Sequence, residues 1–249
     1  MKDVPVIETL PNNAGQESSP RGLAMKSENA ETKYPSSASE CFARSVAVFL
    51  LLLVFQATVF AQPVCPPLDG RNWNNDYRDP SQTGHLRVVE RFHFNDNVRT
   101  LRGSARGSAG TLRGDLDYVL NHFPNHHPAL DALVRLALRE RNPEPLGMVH
   151  IDCRFQQARR VVPNDGMVPM LQAQYYMQSG RQREVVALLE LATGLSPHDA
   201  NVHYNAGLLY FRLNAFEKAR EHGRRAYEMG FPLPGLRSML ARAGYPLND

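Results

Sequence analysis

Beyond residue 114 the apolar and polar positions alternate with the period of an amphipathic helix. Leu116, Val119, Leu120 and Phe123 line one face after an acidic start, and Pro124 closes the segment, which predicts a helix over 115–123. Leu130, Leu133, Val134, Ala137 and Leu138 repeat the pattern, as do Ile151, Phe155, Ala158 and Val161 or Val162 before Pro163. Helices are then predicted over 167–178 and 182–195 around a turn at Gly180, over 200–213 and 215–229 around a turn at Asn214, and over 235–243. The chain ahead of this region reads differently. Residues 62–84 are rich in Pro, Asn and Asp and predict an extended strap, pinned by the rings of Trp73 and Tyr77. Residues 86–94 (LRVVERFHF) alternate in part and predict a short strand or more strap. Residues 99–114 combine Gly and Ser with Arg99, Arg102, Arg106 and Arg113, a mobile basic loop whose glycines lack phosphate-loop spacing.

The predicted helices come in pairs at a fixed interval. Pro163, Pro197 and Pro232 lie 34 and 35 residues apart, and Ala158, Ala192 and Ala226 lie 34 and 34 apart. A pair of such short helices cannot bury two apolar faces alone, but stacking on the next pair does. Gly207, Ala192, Ala219 and Ala226 permit the close approach this needs, and Tyr210 and Phe216 fill the space between layers.

The unit 200–233 resembles the tetratricopeptide repeat family through Gly207, Tyr210, Ala219, Ala226 and Pro232, with His203 where that family often has Trp. The unit 166–199 is similar through Ala173, Tyr176, Gly180, Ala192 and Pro197, and 129–165 forms a degenerate first unit with a longer turn. FPNHHPAL and FPLPGLRSMLARAGYP resemble segments of exported repeat proteins of Gram-negative bacteria. The resemblance implies an all-α, tetratricopeptide-type helical-hairpin solenoid over 115–234, behind an irregular amino-terminal strap and loop (62–114) and before a capping helix and tail (235–249).

The same resemblance implies a concave groove lined by the first helix of each pair. Its residues would be Asn201, Tyr204, Asn205, Leu208, Phe211 and Arg212 in the last unit, and Met167, Met170, Leu171, Gln174, Met177 and Gln178 in the middle one. Asp131, Arg135 and Arg139 would follow in the first. Met, aromatic, amide and Arg side chains together suit an extended peptide or a partner helix. The strap 62–98 could instead occupy that groove. Asn205 matches one residue of the family's carboxylate clamp, whose paired lysines are absent. The expected role is a protein-interaction or assembly adaptor, with a structural subunit of an envelope complex as the alternative and a metal-binding or enzymatic protein centred on His122, His126 and His127 as the less favoured one.

Address and charge narrow the role. Residues 45–61 (SVAVFLLLLVFQATVFA) are uncharged, follow Arg44 and end on Val59-Phe60-Ala61. That reads either as the apolar core of a cleaved secretory signal or as an uncleaved membrane anchor, behind a disordered leader over 1–44. Either way the remainder is expected in the periplasm. An oxidising compartment permits a bridge between Cys65 and Cys153, and an idle Cys65 with a buried Cys153 is the other reading. The balance of 28 basic and 25 acidic residues gives a net charge of +3, too small to argue for nucleic acid.

Catalytic chemistry is not expected, and neither is a cofactor. The densest ionisable cluster is His122, His126 and His127, without a thiolate or carboxylate beside it in sequence. Capping and hydrogen bonding at a helix junction are expected of these residues rather than metal ligation. His93, His150 and His203 are isolated in sequence, and Asp115 and Asp117 suit a helix start.

Overall fold

The computed structural model describes residues 65–66, 75–105, 110–145 and 149–247. The leader 1–44, the apolar run 45–61, Trp73 and much of the Gly/Arg loop lie outside them. Among the described residues every regular element is helical: α1 (Thr83–His93), α2 (Asp96–Arg99), α3 (Leu112–His122), α4 (His127–Glu140), α5 (Ile151–Val161), α6 (Met167–Gln178), α7 (Val185–Leu195), α8 (Ala200–Arg212), α9 (Phe216–Glu228) and α10 (Gly235–Arg242).

Capping sets many of the boundaries. Thr111 accepts from the Gly114 amide, so α3 begins at Leu112 rather than Asp115. Asn95 opens α2 and Asp199 opens α8 by accepting from amides of the first turn. Gly180 (φ 86°) and Asn214 (φ 58°) stand 34 positions apart and turn the chain between α6 and α7 and between α8 and α9. Glycine takes that left-handed conformation without a Cβ clash, and asparagine tolerates it better than most residues.

Helix α6 packs against α7, and α8 against α9; α4, α6 and α8 also touch in succession. Close approach depends on missing side chains. A Cβ on Gly207 would lie 2.4 Å from Leu236 and 3.2 Å from the Ala219 carbonyl. A Cβ on Gly166 would lie 2.4 Å from the Ala192 carbonyl. Helix α6 is buried from Met167 to Tyr176, so it forms the middle of the stack. Helix α10 packs on α8 and α9, covering them with Leu236 and Leu240. The described chain is thus an all-α packed domain of a kind compatible with protein–protein interaction.

Two expectations are corrected. Residues 83–93 and 96–99 are helical, not strand or strap. Leu86 and Val89 turn inward from α1 and are buried where it packs on α3, so a 3.6-residue period underlies what reads as partial alternation. The anchoring of the protein in a membrane through 45–61 is also set aside. Among the described residues no helix is long and apolar enough to cross a membrane. The segment itself lies outside them.

Candidate functional site

The residues expected to line a groove fall into two groups. Met170, Gln174, Tyr204, Asn205 and Leu208 are buried, as are Met167 and Leu171. Asn201, Met177, Phe211 and Arg212 are half-buried and Gln178 is exposed. Tyr204 stacks on Phe231 with ring centroids 4.0 Å apart, and its hydroxyl accepts from the Leu236 amide at 3.3 Å. Asn205 donates to Asn201 at 2.5 Å. Gln174 is 5% exposed, and its Oε1 is buried with no hydrogen-bond partner. An unsatisfied buried acceptor costs about 1–3 kcal/mol. Met177 and Phe211, and likewise Gln178 and Arg212, are 34 positions apart at the carboxyl ends of α6 and α8, two helices in contact. In the first unit Asp131 pairs with Arg135 at 2.8 Å, and burial pushes its carboxyl above the usual range. Arg135 and Arg139 donate to the Arg99 and Leu101 carbonyls, tying α4 to the end of α2.

The histidines form a second site, built at the junction where α1, α3, α4 and the α5–α6 turn meet. His126 caps α4: its Nδ1 accepts from the Ala129 amide at 3.1 Å while Nε2 lies 3.1 Å from Glu90. Full burial lowers its pKa, and the Glu90 carboxylate opposes that shift. His127 donates through Nε2 to Asp165 at 2.8 Å. Asn125 donates to Asp165 at 2.7 Å and to Asp76 at 2.8 Å, and its own carbonyl oxygen accepts from the Tyr77 amide at 2.8 Å. Arg78 pairs with Asp76 at 3.0 Å and lies 3.5 Å from Asp165. Burial disfavours the Asp165 carboxylate, but hydrogen bonds from His127 and Asn125 and the nearby Arg78 charge outweigh it, leaving the pKa lowered.

A ring array continues from this junction across α1 and α3. His93 stacks on Tyr118 at 3.9 Å and Tyr118 on His122 at 4.3 Å, while the His85 and His122 rings meet edge-on at 5.1 Å. Asp115, 1% exposed, holds His93 at 2.9 Å and accepts from the Ala105 amide at 2.8 Å. His85 Nε2 lies 3.1 Å from His122 Nδ1. Burial, then the His85 and His93 charges, lowers the pKa of His122. A third pair joins α8 to α9. His203 donates through Nε2 to the Pro197 carbonyl at 3.0 Å, so its Nδ1 accepts from His222 at 2.9 Å. Burial, then the neighbouring His203, lowers the pKa of His222 to about 4.

These contacts give the histidines capping and clamping work. Among the described residues no group of three or more His, Cys, Asp or Glu side chains could hold a metal ion. Sequence reasoning missed His85, Asp76 and Asp165. Asp76 and Asp165 lie 49 and 40 residues from Asn125, which joins them, so no local spacing could expose the network. The structure also joins Cys65 to Cys153, with Cα atoms 5.1 Å apart, and Gln157 donates to the Pro66 carbonyl beside the bridge at 3.4 Å. The chain matches no protein-family model, no curated protein and no solved structure.

Proposed function

We propose that the protein is a periplasmic, non-enzymatic adaptor of tetratricopeptide type, which takes a peptide or helix of another protein along α6 and α8. The observation that carries this reading is the matched pair of partly exposed ends, Met177 with Phe211 and Gln178 with Arg212, at the carboxyl ends of two helices in contact. Met177 and Phe211 offer apolar contact there, and Gln178 and Arg212 offer polar contact at the ends of the same two helices. The periplasmic address rests on Arg44 and the uncharged run after it, read as a secretory signal. The Cys65–Cys153 bridge is consistent with an oxidising compartment.

The test is capture of partners from envelope extract, identification by mass spectrometry, and measurement of affinity for the purified partner. Gln178→Ala should weaken binding about fivefold, in line with the roughly 1 kcal/mol of one hydrogen bond. Phe211→Ala with Arg212→Ala should weaken it further. Unchanged affinity in both variants would remove this face from the binding reaction.

A further inference from the structure

The ring nitrogens that join α1 to α3 have one self-consistent arrangement of protons. Asn75 donates to the His122 carbonyl twice, through its backbone amide at 3.3 Å and through Nδ2 at 3.2 Å. An Asn75 side chain turned the other way would set its oxygen against that carbonyl, so Nδ2 is the atom that faces His85 Nδ1 at 3.3 Å. His85 Nδ1 therefore accepts, and its proton sits on Nε2. That Nε2 donates to His122 Nδ1 at 3.1 Å, which leaves the His122 proton on its own Nε2. The bonds run in one direction, from Asn75 to His85 to His122.

This chain of bonds does not accommodate another proton. A proton added to His122 goes on Nδ1 and meets the His85 Nε2–H. A proton added to His85 goes on Nδ1 and meets the Asn75 amide. Moving the proton between the rings only shifts the conflict from one bond to the other, so every charged state of the pair sets two donors face to face. The surrounding acids are engaged with other groups. Asp115 holds His93 at 2.9 Å, Glu90 meets His126 at 3.1 Å, and His127 meets Asp165 at 2.8 Å. Asp76 pairs with Arg78 at 3.0 Å, and Asp117 accepts from Asn121 at 2.9 Å and from Arg154. Tyr118 stacks on both His93 and His122. Because burial and then the His85 and His93 charges lower the pKa of His122, the opened arrangement takes the proton first. The closed arrangement is favoured above 6.5, the ordinary histidine value, and loses ground as pH falls below it.

We propose that Asn75, His85 and His122 form a proton-sensitive latch, which holds α1 on α3 while both rings are neutral and releases it when the pair takes up one proton. Leu86 and Val89 are the buried residues of α1, so its apolar hold is small and the polar contacts decide whether it stays. The Cys65–Cys153 bridge ties the chain ahead of Asn75 to α5, so an opened α1 remains within reach and can close again. The latch involves neither α6 nor α8 and stands or falls independently of partner capture.

The experiment is amide hydrogen exchange on the purified full chain with the bridge oxidised, at about pH 7.5 and about pH 5, corrected for intrinsic exchange. Protection of the α1 amides from Arg87 to His93 should fall about tenfold at the lower pH, as expected for one lost buried hydrogen bond, and by more than protection in α6. The decisive variant combines His85→Gln with His122→Asn. The glutamine amide nitrogen replaces Nε2 and the asparagine oxygen replaces Nδ1, so the ring-to-ring bond is kept without a titrating group. This variant should keep α1 protected at both pH values. His93→Gln removes a neighbouring ring but none of the latch bonds and should leave the step in place. Nitrogen-15 spectra of the unsubstituted chain give a reading that needs no variant: both rings should carry their proton on Nε2 at neutral pH. Four results would each overturn the proposal: wild-type protection without a pH step, an undiminished step in the double variant, a step lost in His93→Gln while α1 stays protected, or a neutral His85 protonated on Nδ1.

Discussion

The carboxyl-terminal hairpins and the amino-terminal junction are held together by different physics. From α6 to α10 the contacts are mostly apolar and local, the His203–His222 pair aside, with small residues set against their neighbours: Gly207 beneath Leu236, and Gly166 against the Ala192 carbonyl. Around α1, α3 and α4 the contacts are polar and distant in sequence: Asn125, His127 and Arg78 reach Asp76 or Asp165 across gaps of 38 to 87 residues, the local Arg78–Asp76 pair aside. The first kind of packing tolerates the loss of one contact by relaxing. The second leaves a buried charge or donor behind when any member is removed. One chain therefore contains a modular part and a part that is locked as a unit.

The sharpest way to break this contrast is at Asp165. Asp165→Ala leaves His127, Asn125 and Arg78 without their shared acceptor and should cost about 4 kcal/mol in denaturant unfolding. Asp165→Asn should cost less, because an amide oxygen still accepts. Reduction comes next. The Cys65–Cys153 bridge spans 88 residues and should contribute about 3 kcal/mol, read as a fall in thermal midpoint with reductant and its absence in Cys153→Ser. Acid is the third probe. The His222 pKa is about 4 when folded against 6.5 for the free side chain, so the unfolded chain binds the extra proton first. Stability is fully present above pH 6.5 and should fall by about 2 kcal/mol, after allowance for solvent screening, as pH drops toward 4. His222→Gln should flatten that slope. The smallest effect is expected at the α6–α7 turn, where Gly180→Ala forces a side chain into φ 86° and should cost about 1 kcal/mol.

The same contrast explains how much of the molecule was legible before folding. Helices α6 to α10 follow from short-range signals: the apolar period, the turns at Gly180 and Asn214, and the 34-residue interval. The close-packing role of Gly207 could be anticipated from its place in that interval. Helix α1 could not be identified, because only Leu86 and Val89 within it are buried and the surface it packs on, α3, lies elsewhere in the chain. The histidine triplet drew notice as a dense cluster, but its partners Glu90 and Asp165 lie 36 and 38 residues away. For the candidate binding face, the residue types were visible in sequence. The orphaned oxygen of Gln174 and the burial of Tyr204 against Phe231 required three-dimensional packing.

The most direct test of the adaptor reading is site-specific photo-cross-linking in intact cells, comparing a probe at Gln178, at the end of α6, with one at Arg224, on the exposed charged face of α9. The account predicts a discrete adduct with another protein from position 178 that is absent from position 224 and is lost when Phe211→Ala and Arg212→Ala are combined with the probe. No adduct from position 178, or equal adducts from both positions, would contradict it.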